Sequence, residues 1–298
     1  MAFIDDIKRT YSQGSMLMRF IFINIGVFVV LRLLALGAVL FGADTSRVIN
    51  WVVMPGDLWQ LLRRPWTVLT YMFAHSDLLH ILFNMLWFYW LGRIFMEFFS
   101  PKQLTGLYIM GGLGGAVLYL LACNLLPGVP QRSLIGASAS VIAVVVAVAV
   151  YVPDYKIGLL FLGEVSIKWV AIVTVAFALL SIDGGNPGSS IAHLGGALVG
   201  LWYALRIRNG RDITRPVNVM LDTLVGLFNG RSFKFPQLRR KSSRQDEAET
   251  PKAHRPADVV TEDELDTILK KIKVSGYDAL TDAERDKLFK ASRQSPRR

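Results

Sequence analysis

Long apolar blocks broken by short polar stretches run from about residue 17 to residue 208, and the remaining ninety or so residues are polar and charged. A helix that crosses a membrane needs roughly 20 mostly apolar residues. Six stretches meet that description: 17–41, 78–99, 103–126, 134–152, 165–182 and 189–207. Glu164 and Lys168 blur the start of the fifth. The segment 44–69 combines Trp51, Trp59 and Trp66 with Asp57, Arg63 and Arg64, too polar to span and too aromatic for an ordinary loop. That mixture is expected to lie at the membrane interface. The pattern predicts an all-α, polytopic membrane bundle of six transmembrane helices with a cytoplasmic helical C-terminal tail. Four regions follow: an N-terminal cytoplasmic segment (1–16), the membrane domain (17–208), a juxtamembrane segment and linker (209–260), and a small helical C-terminal region (261–298).

Within the last two regions, Val217 to Phe228 is apolar at helical spacing, suited to lying along the inner membrane surface. Gln237 to Ala257 is rich in charge, Ser and Pro and reads as a linker. Residues 261–292 read as two short helices. Thr261-Glu262-Asp263-Glu264 caps the first, whose apolar face is Leu265, Ile268, Leu269 and Ile272. Ser275-Gly276 breaks the chain, and Thr281 to Glu284 caps the second helix. An unknown partner for this tail stays open; a solvated helical hairpin without a catalytic role is the simpler reading.

Composition agrees with the membrane reading: 52% of residues are hydrophobic and the mean hydropathy is +0.39. The single cysteine, Cys123, allows neither an internal disulfide nor a CxxC site. The net charge of +10 lies largely beside apolar runs or in the tail, which fits attraction to an anionic bilayer better than nucleic-acid binding. Residues 1–16 lack the apolar core of a cleaved signal peptide, so the first apolar run is expected to stay as an anchor. Basic residues favour both termini inside: Lys8, Arg9, Arg19, Arg93, Lys102, Lys156, Arg206, Arg208 and Arg211 face Arg47, Arg63, Arg64 and Arg132 on the other side. The expected location is a bacterial inner membrane.

With that direction, spans two, four and six all begin at the outer face. His80, Ser138 and His193 sit near those three starts and share one depth, roughly one to two turns down at ~1.5 Å per residue. Polar side chains are costly in a bilayer and normally face the bundle interior. The run Gly136-Ala137-Ser138-Ala139 flanks a serine with small residues. Alone it fits a packing row with Ala139, Ala143 and Ala147 better than a nucleophile. In span six, Gly196 and Gly200 form a GxxxG face one turn after His193. If that face meets the small-residue face of span four, His193 stands beside Ser138.

A serine hydroxyl becomes a competent nucleophile when a base takes its proton, and a neutral imidazole does this and later protonates the leaving amine. The only acid near span six, Asp183, lies ten residues before His193, so a two-residue dyad is expected. Attack on an amide creates an oxyanion that needs donors. His80 and Asn84, one turn apart on one face, and the free backbone N–H of Ser138 are the candidates. Hydrogen bonds of both side chains to neighbouring helices are the lesser alternative beside Ser138 and His193, and a metal site is weaker because no carboxylate accompanies the histidines at ligand spacing.

Taken together, Gly136-Ala137-Ser138-Ala139, His80-xxx-Asn84, Ala192-His193-xx-Gly196-xxx-Gly200 and the lead-in Phe73-Ala74-His75-Ser76-Asp77-Leu78-Leu79-His80 resemble the rhomboid family of intramembrane serine proteases over roughly residues 17–208. The resemblance implies cleavage of membrane-anchored, transmembrane protein substrates near the outer membrane edge. It implies a Ser138–His193 dyad and an oxyanion site of His80, Asn84 and the Ser138 amide, with no metal or organic cofactor. Three positions depart from the family pattern: Thr67 follows Trp66 where arginine is usual, Ala139 stands for glycine, and Ile142 for an aromatic. The alternative is a non-proteolytic rhomboid-like binder or chaperone of membrane proteins; loss of the serine or histidine would mark it. The loop 183–188 beside span five is expected to act as a mobile gate.

Overall fold

The computed structural model describes residues 15–159, 163–180, 187–228 and 262–275, together with Leu280, Thr281, Glu284 and Leu288. Asp183, most of the expected gate loop and the expected linker lie outside the described residues. Contacts divide the chain into two units, Met1–Phe235 and Pro236–Arg298.

Among the described residues the first unit holds seven longer helices: α1 (Met16–Leu40), α2 (Leu78–Phe98), α3 (Pro101–Leu125), α4 (Ser138–Tyr151), α5 (Ile167–Leu180), α6 (Pro187–Arg208) and α7 (Arg215–Phe228). Local chemistry sets their starts. The Ser15 hydroxyl caps α1, and Ser100 and Gln103 form a reciprocal capping box at α3 with Pro101 in the first turn. The Asp77 carboxylate caps α2 by accepting from the His80 N–H at 2.9 Å. The second unit contains α8 (Glu262–Ser275); Gly276 of the expected break lies outside the described residues. There Thr281 and Glu284 make the anticipated reciprocal cap, with Thr281 N–H donating to Glu284 Oε2 at 2.8 Å.

Among the described residues four helices, α1, α2, α3 and α6, are long and apolar enough to cross a membrane. The expected fourth and fifth spans are shorter among the described residues, with α4 and α5 at 14 residues each. They rise about 21 Å at ~1.5 Å per residue, against a hydrocarbon core of roughly 30 Å. The expected start at residue 134 gives way to a turn. Ser133-Leu134 forms a short antiparallel pair with Met54-Pro55, and Gly136 adopts φ 120°, a left-handed conformation costly for any residue with a Cβ. Helix formation therefore begins at Ser138 rather than four residues earlier.

Many large apolar side chains point outward, among them Leu33, Leu36, Val39, Leu82, Phe83 and Leu198. Such a surface suits a lipid environment, where apolar exposure costs nothing. The segment expected at the interface folds into short helical turns at Thr45–Asn50, Leu58–Arg63 and Thr67–Thr70. Trp51 and Trp66 stack at 5.4 Å, the Trp66 indole donates to the Trp51 carbonyl, and Arg64 donates to the Asn50 carbonyl. Arg64 thus ties this segment together, though the sequence around Trp66 departs from the family pattern.

The interior is built on small residues. A Cβ on Gly196 would strike the backbone of Ala139, one on Gly200 the backbone of Ala143, and one on Gly195 the backbone of Gly114. The GxxxG face of α6 therefore does meet the alanine row of α4. The glycine-rich centre of α3, Gly111 to Gly115, closes the third side, with Gly111 against Ala143 and Gly115 against Ala139. This role of α3 is not legible from the α4 and α6 motifs. Close backbone approach compensates for the absence of a hydrophobic drive between helices in lipid.

Candidate active site

The α6-on-α4 packing fixes where two polar side chains meet. Ser138 is the first residue of α4 and His193 lies two turns into α6; His193 Nε2 stands 2.7 Å from Ser138 Oγ. Both belong to helices locked by backbone-to-backbone contact at Gly196 and Gly200, so little rotation is available to separate them. Among the described residues, His193 Nδ1 is buried without a hydrogen-bond partner. No carboxylate therefore orients this imidazole from within that set.

The other two candidates arrive from α2. The third residue of that helix, His80, presents its Cε1–Nε2 edge to Gly136, where a Cβ would lie 2.8 Å from the ring and 3.8 Å from Ser138 Oγ. Glycine at position 136 is what leaves room for the ring. Asn84, one turn on, is buried, and its Nδ2 donates to the His80 carbonyl at 2.9 Å. A primary amide carries two N–H donors, so one stays available. The Ser138 N–H belongs to the first turn of a helix and has no intrahelical acceptor. His80, Asn84, Ser138 and His193 all line one cavity of about 390 Å³, with Phe177 of α5 and Trp87 of α2 on its walls. Ile142, at the position where the family usually has an aromatic, lines it too and packs with Val146.

Two residues that the motif reading quoted without a role also reach the site. Ser76 Oγ is 2.9 Å from His80 Nδ1 and donates to Asp77 Oδ2 at 2.7 Å. The His80 backbone N–H and the Ser76 hydroxyl hold the Asp77 carboxyl below the usual carboxylate range, so it is ionised at neutral pH. An acidic helix cap directly before an apolar run is the sequence signal for Asp77; nothing local reveals the Ser76 contact. His75 packs edge-on against His80 at 5.1 Å between ring centres. Burial pushes His75 down to about 4, which leaves that ring neutral at pH 7. Among the described residues no three His, Cys, Asp or Glu side chains gather as a metal-ligand group.

Chemically, the arrangement pairs a hydroxyl with an imidazole nitrogen and sets two donors beside them. A conserved-domain model described as "Rhomboid domain" matches residues 62–210, which is 149 of the 298 residues and contains all four side chains. The chain is 33% identical over 158 residues to "RHOMBOID-like protein 12, mitochondrial" of Arabidopsis thaliana, covering 49% of this chain and 47% of that protein. It is 31% identical over 136 residues to "Presenilin-associated rhomboid-like protein A, mitochondrial" of Danio rerio, covering 44% and 34%. A third relative is "Rhomboid-like protein 16, chloroplastic" of Arabidopsis thaliana, 29% identical over 160 residues, covering 49% and 50%. The matches thus span about half or less of these relatives' lengths. Their mitochondrial and chloroplastic names overturn the expectation of a bacterial inner membrane with cytoplasmic termini. Basic-residue asymmetry reports which way helices point across a bilayer, and carries no information about which bilayer it is.

Proposed function

This chain belongs to the rhomboid family, and from that premise we propose that it is an intramembrane serine endopeptidase working through a Ser138–His193 dyad. The observation that carries the reading is the 2.7 Å approach of His193 Nε2 to Ser138 Oγ inside a cavity that also holds His80 and Asn84. Six membrane passages belong to the same reading, with the short helices α4 and α5 spanning as part of the bundle. Residues 17–208 then form the catalytic domain, with 209–260 and 261–298 as appended segments.

In this mechanism His193 Nε2 takes the Ser138 proton as Oγ attacks the carbonyl carbon of a peptide bond in a transmembrane substrate. The developing oxyanion is held by His80, the free N–H of Asn84 and the Ser138 amide. Protonated His193 then delivers its proton to the leaving amine, and the substrate's N-terminal part stays esterified to Ser138. Water, deprotonated by His193, attacks that ester and frees the serine. No metal or organic cofactor takes part. The substrate class is a membrane-anchored protein whose helix unwinds near the membrane face where α4 and α6 begin, and the lipid bilayer is the working solvent. By the names of its relatives, the compartment is an organelle.

The test is cleavage of a model membrane-anchored substrate in proteoliposomes by the wild type, Ser138→Ala and His193→Ala. Cleavage by the wild type alone supports the dyad. Equal cleavage by all three proteins sinks it, and absence of cleavage by the wild type across several transmembrane substrates favours a non-proteolytic binder.

A further inference from the structure

An oxyanion donor at His80 needs a proton on Nε2, the ring edge that faces Gly136 and Ser138. Which nitrogen carries a proton is decided by what faces the other one. Opposite Nδ1 stands Ser76 Oγ at 2.9 Å. A hydroxyl has one proton, and that of Ser76 is directed to the Asp77 carboxylate at 2.7 Å. Its oxygen can therefore only accept from the ring, so Nδ1 must carry a hydrogen. A proton on Nε2 as well then makes the ring cationic, with the Asp77 carboxylate as its counter-charge through Ser76. The same carboxylate caps α2 through the His80 N–H at 2.9 Å, so one side chain fixes both the backbone and the ring of His80.

The remaining titratable and charged groups near the ring do not compete for this role. His75 lies edge-on and is neutral, His193 is engaged with Ser138, and Arg32 of α1 donates to the Ser76 carbonyl. The Arg32 contact pins the loop that carries Ser76.

We propose that Ser76 and Asp77 are positioning residues for His80, forming a chain from His80 Nδ1–H to Ser76 Oγ to the Asp77 carboxylate that keeps Nδ1 protonated and aims the Nε2–H at the oxyanion. This rests on the proteolytic reading for its consequence, while the bonding itself is independent of it. The two are separated by two readouts on the full-length chain in detergent micelles. The first is the imidazole ¹⁵N spectrum of histidine-labelled protein, with His80 assigned by loss of its signals in His80→Asn. The second is kcat and KM on a membrane-anchored substrate.

The wild type is expected to show His80 with both ring nitrogens protonated. Ser76→Ala is expected to shift the proton population away from Nδ1 and lower kcat about 10- to 100-fold with KM unchanged. That is less than the roughly 10²–10³-fold typical of losing an oxyanion donor outright. Ser76→Thr, which restores the hydroxyl, should return both readouts. Asp77→Asn keeps a good helix cap and removes the charge, so kcat falls while thermal stability holds. An unprotonated Nδ1 or Nε2 in the wild type, or a Nδ1 signal unmoved by Ser76→Ala, overturns the proposal whether or not cleavage is seen. Equal, measurable kcat in wild type and Ser76→Ala overturns it as well, whereas no cleavage by either protein counts against the proteolytic reading alone.

Discussion

His193 Nε2 and Ser138 Oγ lie 2.7 Å apart across 55 residues of sequence, held there by glycines of one helix seated on the alanine backbone of another. The contact is made by helix packing, and among the described residues no carboxylate orients it. Its chemistry and its stability can therefore be perturbed separately.

Ser138→Ala and His193→Ala are each expected to remove essentially all catalysis, and the double variant to be no worse than either single one. Residues that act as a unit lose their effect together. Progress curves with a membrane-anchored substrate check this; a double variant slower than both singles by a further multiplicative factor would mean the two groups act independently.

Asn84→Ala should lower kcat about 10²–10³-fold, as loss of one oxyanion donor does, with KM little changed. The amide is buried and, among the described residues, bonds to the His80 carbonyl, so its loss should not unfold α2. A rise in KM with kcat intact would assign Asn84 to substrate binding instead.

Gly136→Ala and Gly196→Leu should separate site from scaffold. A Cβ at Gly136 meets the His80 ring at 2.8 Å and the residue also has φ 120°, so activity falls steeply. At Gly196 the added side chain meets the Ala139 backbone. There the helices themselves must part, at a cost of about 1–3 kcal/mol typical of overpacking, or more where backbone is struck. Thermal unfolding in detergent should report a lower midpoint for Gly196→Leu, and cleavage should fall with it.

In the C-terminal unit, Lys271 and the Thr281 amide and hydroxyl hold the Glu284 carboxyl at about 2, below its ordinary value of 4.5. A carboxylate with a depressed folded value stabilises above its unfolded value, and that contribution is lost as pH falls. Protection of the α8 amides against hydrogen exchange should therefore stay constant above about pH 4.5 and decline toward pH 2. Glu284→Gln should abolish the decline.

Deleting residues 236–298 should leave cleavage unchanged, because every group of the candidate site belongs to the first contact unit. Loss of activity in the truncated protein, with the bundle still folded, would assign the tail a regulatory role.

Apolar runs, the GxxxG spacing at Gly196 and Gly200, and isolated polar residues at helix starts are local patterns. They made the mostly helical membrane architecture and the candidate residues readable from the chain alone. Relations between distant segments leave no such trace. The pairing of Ser133-Leu134 with Met54-Pro55 delays α4 to Ser138. The α3 glycines close the bundle. The Ser76 contact with His80 spans four residues across a helix boundary, where i,i+4 spacing no longer guarantees proximity. Helical periodicity is written into each segment by its own side chains, whereas hydrogen-bond partners and backbone contacts between segments exist only once packing has brought them together.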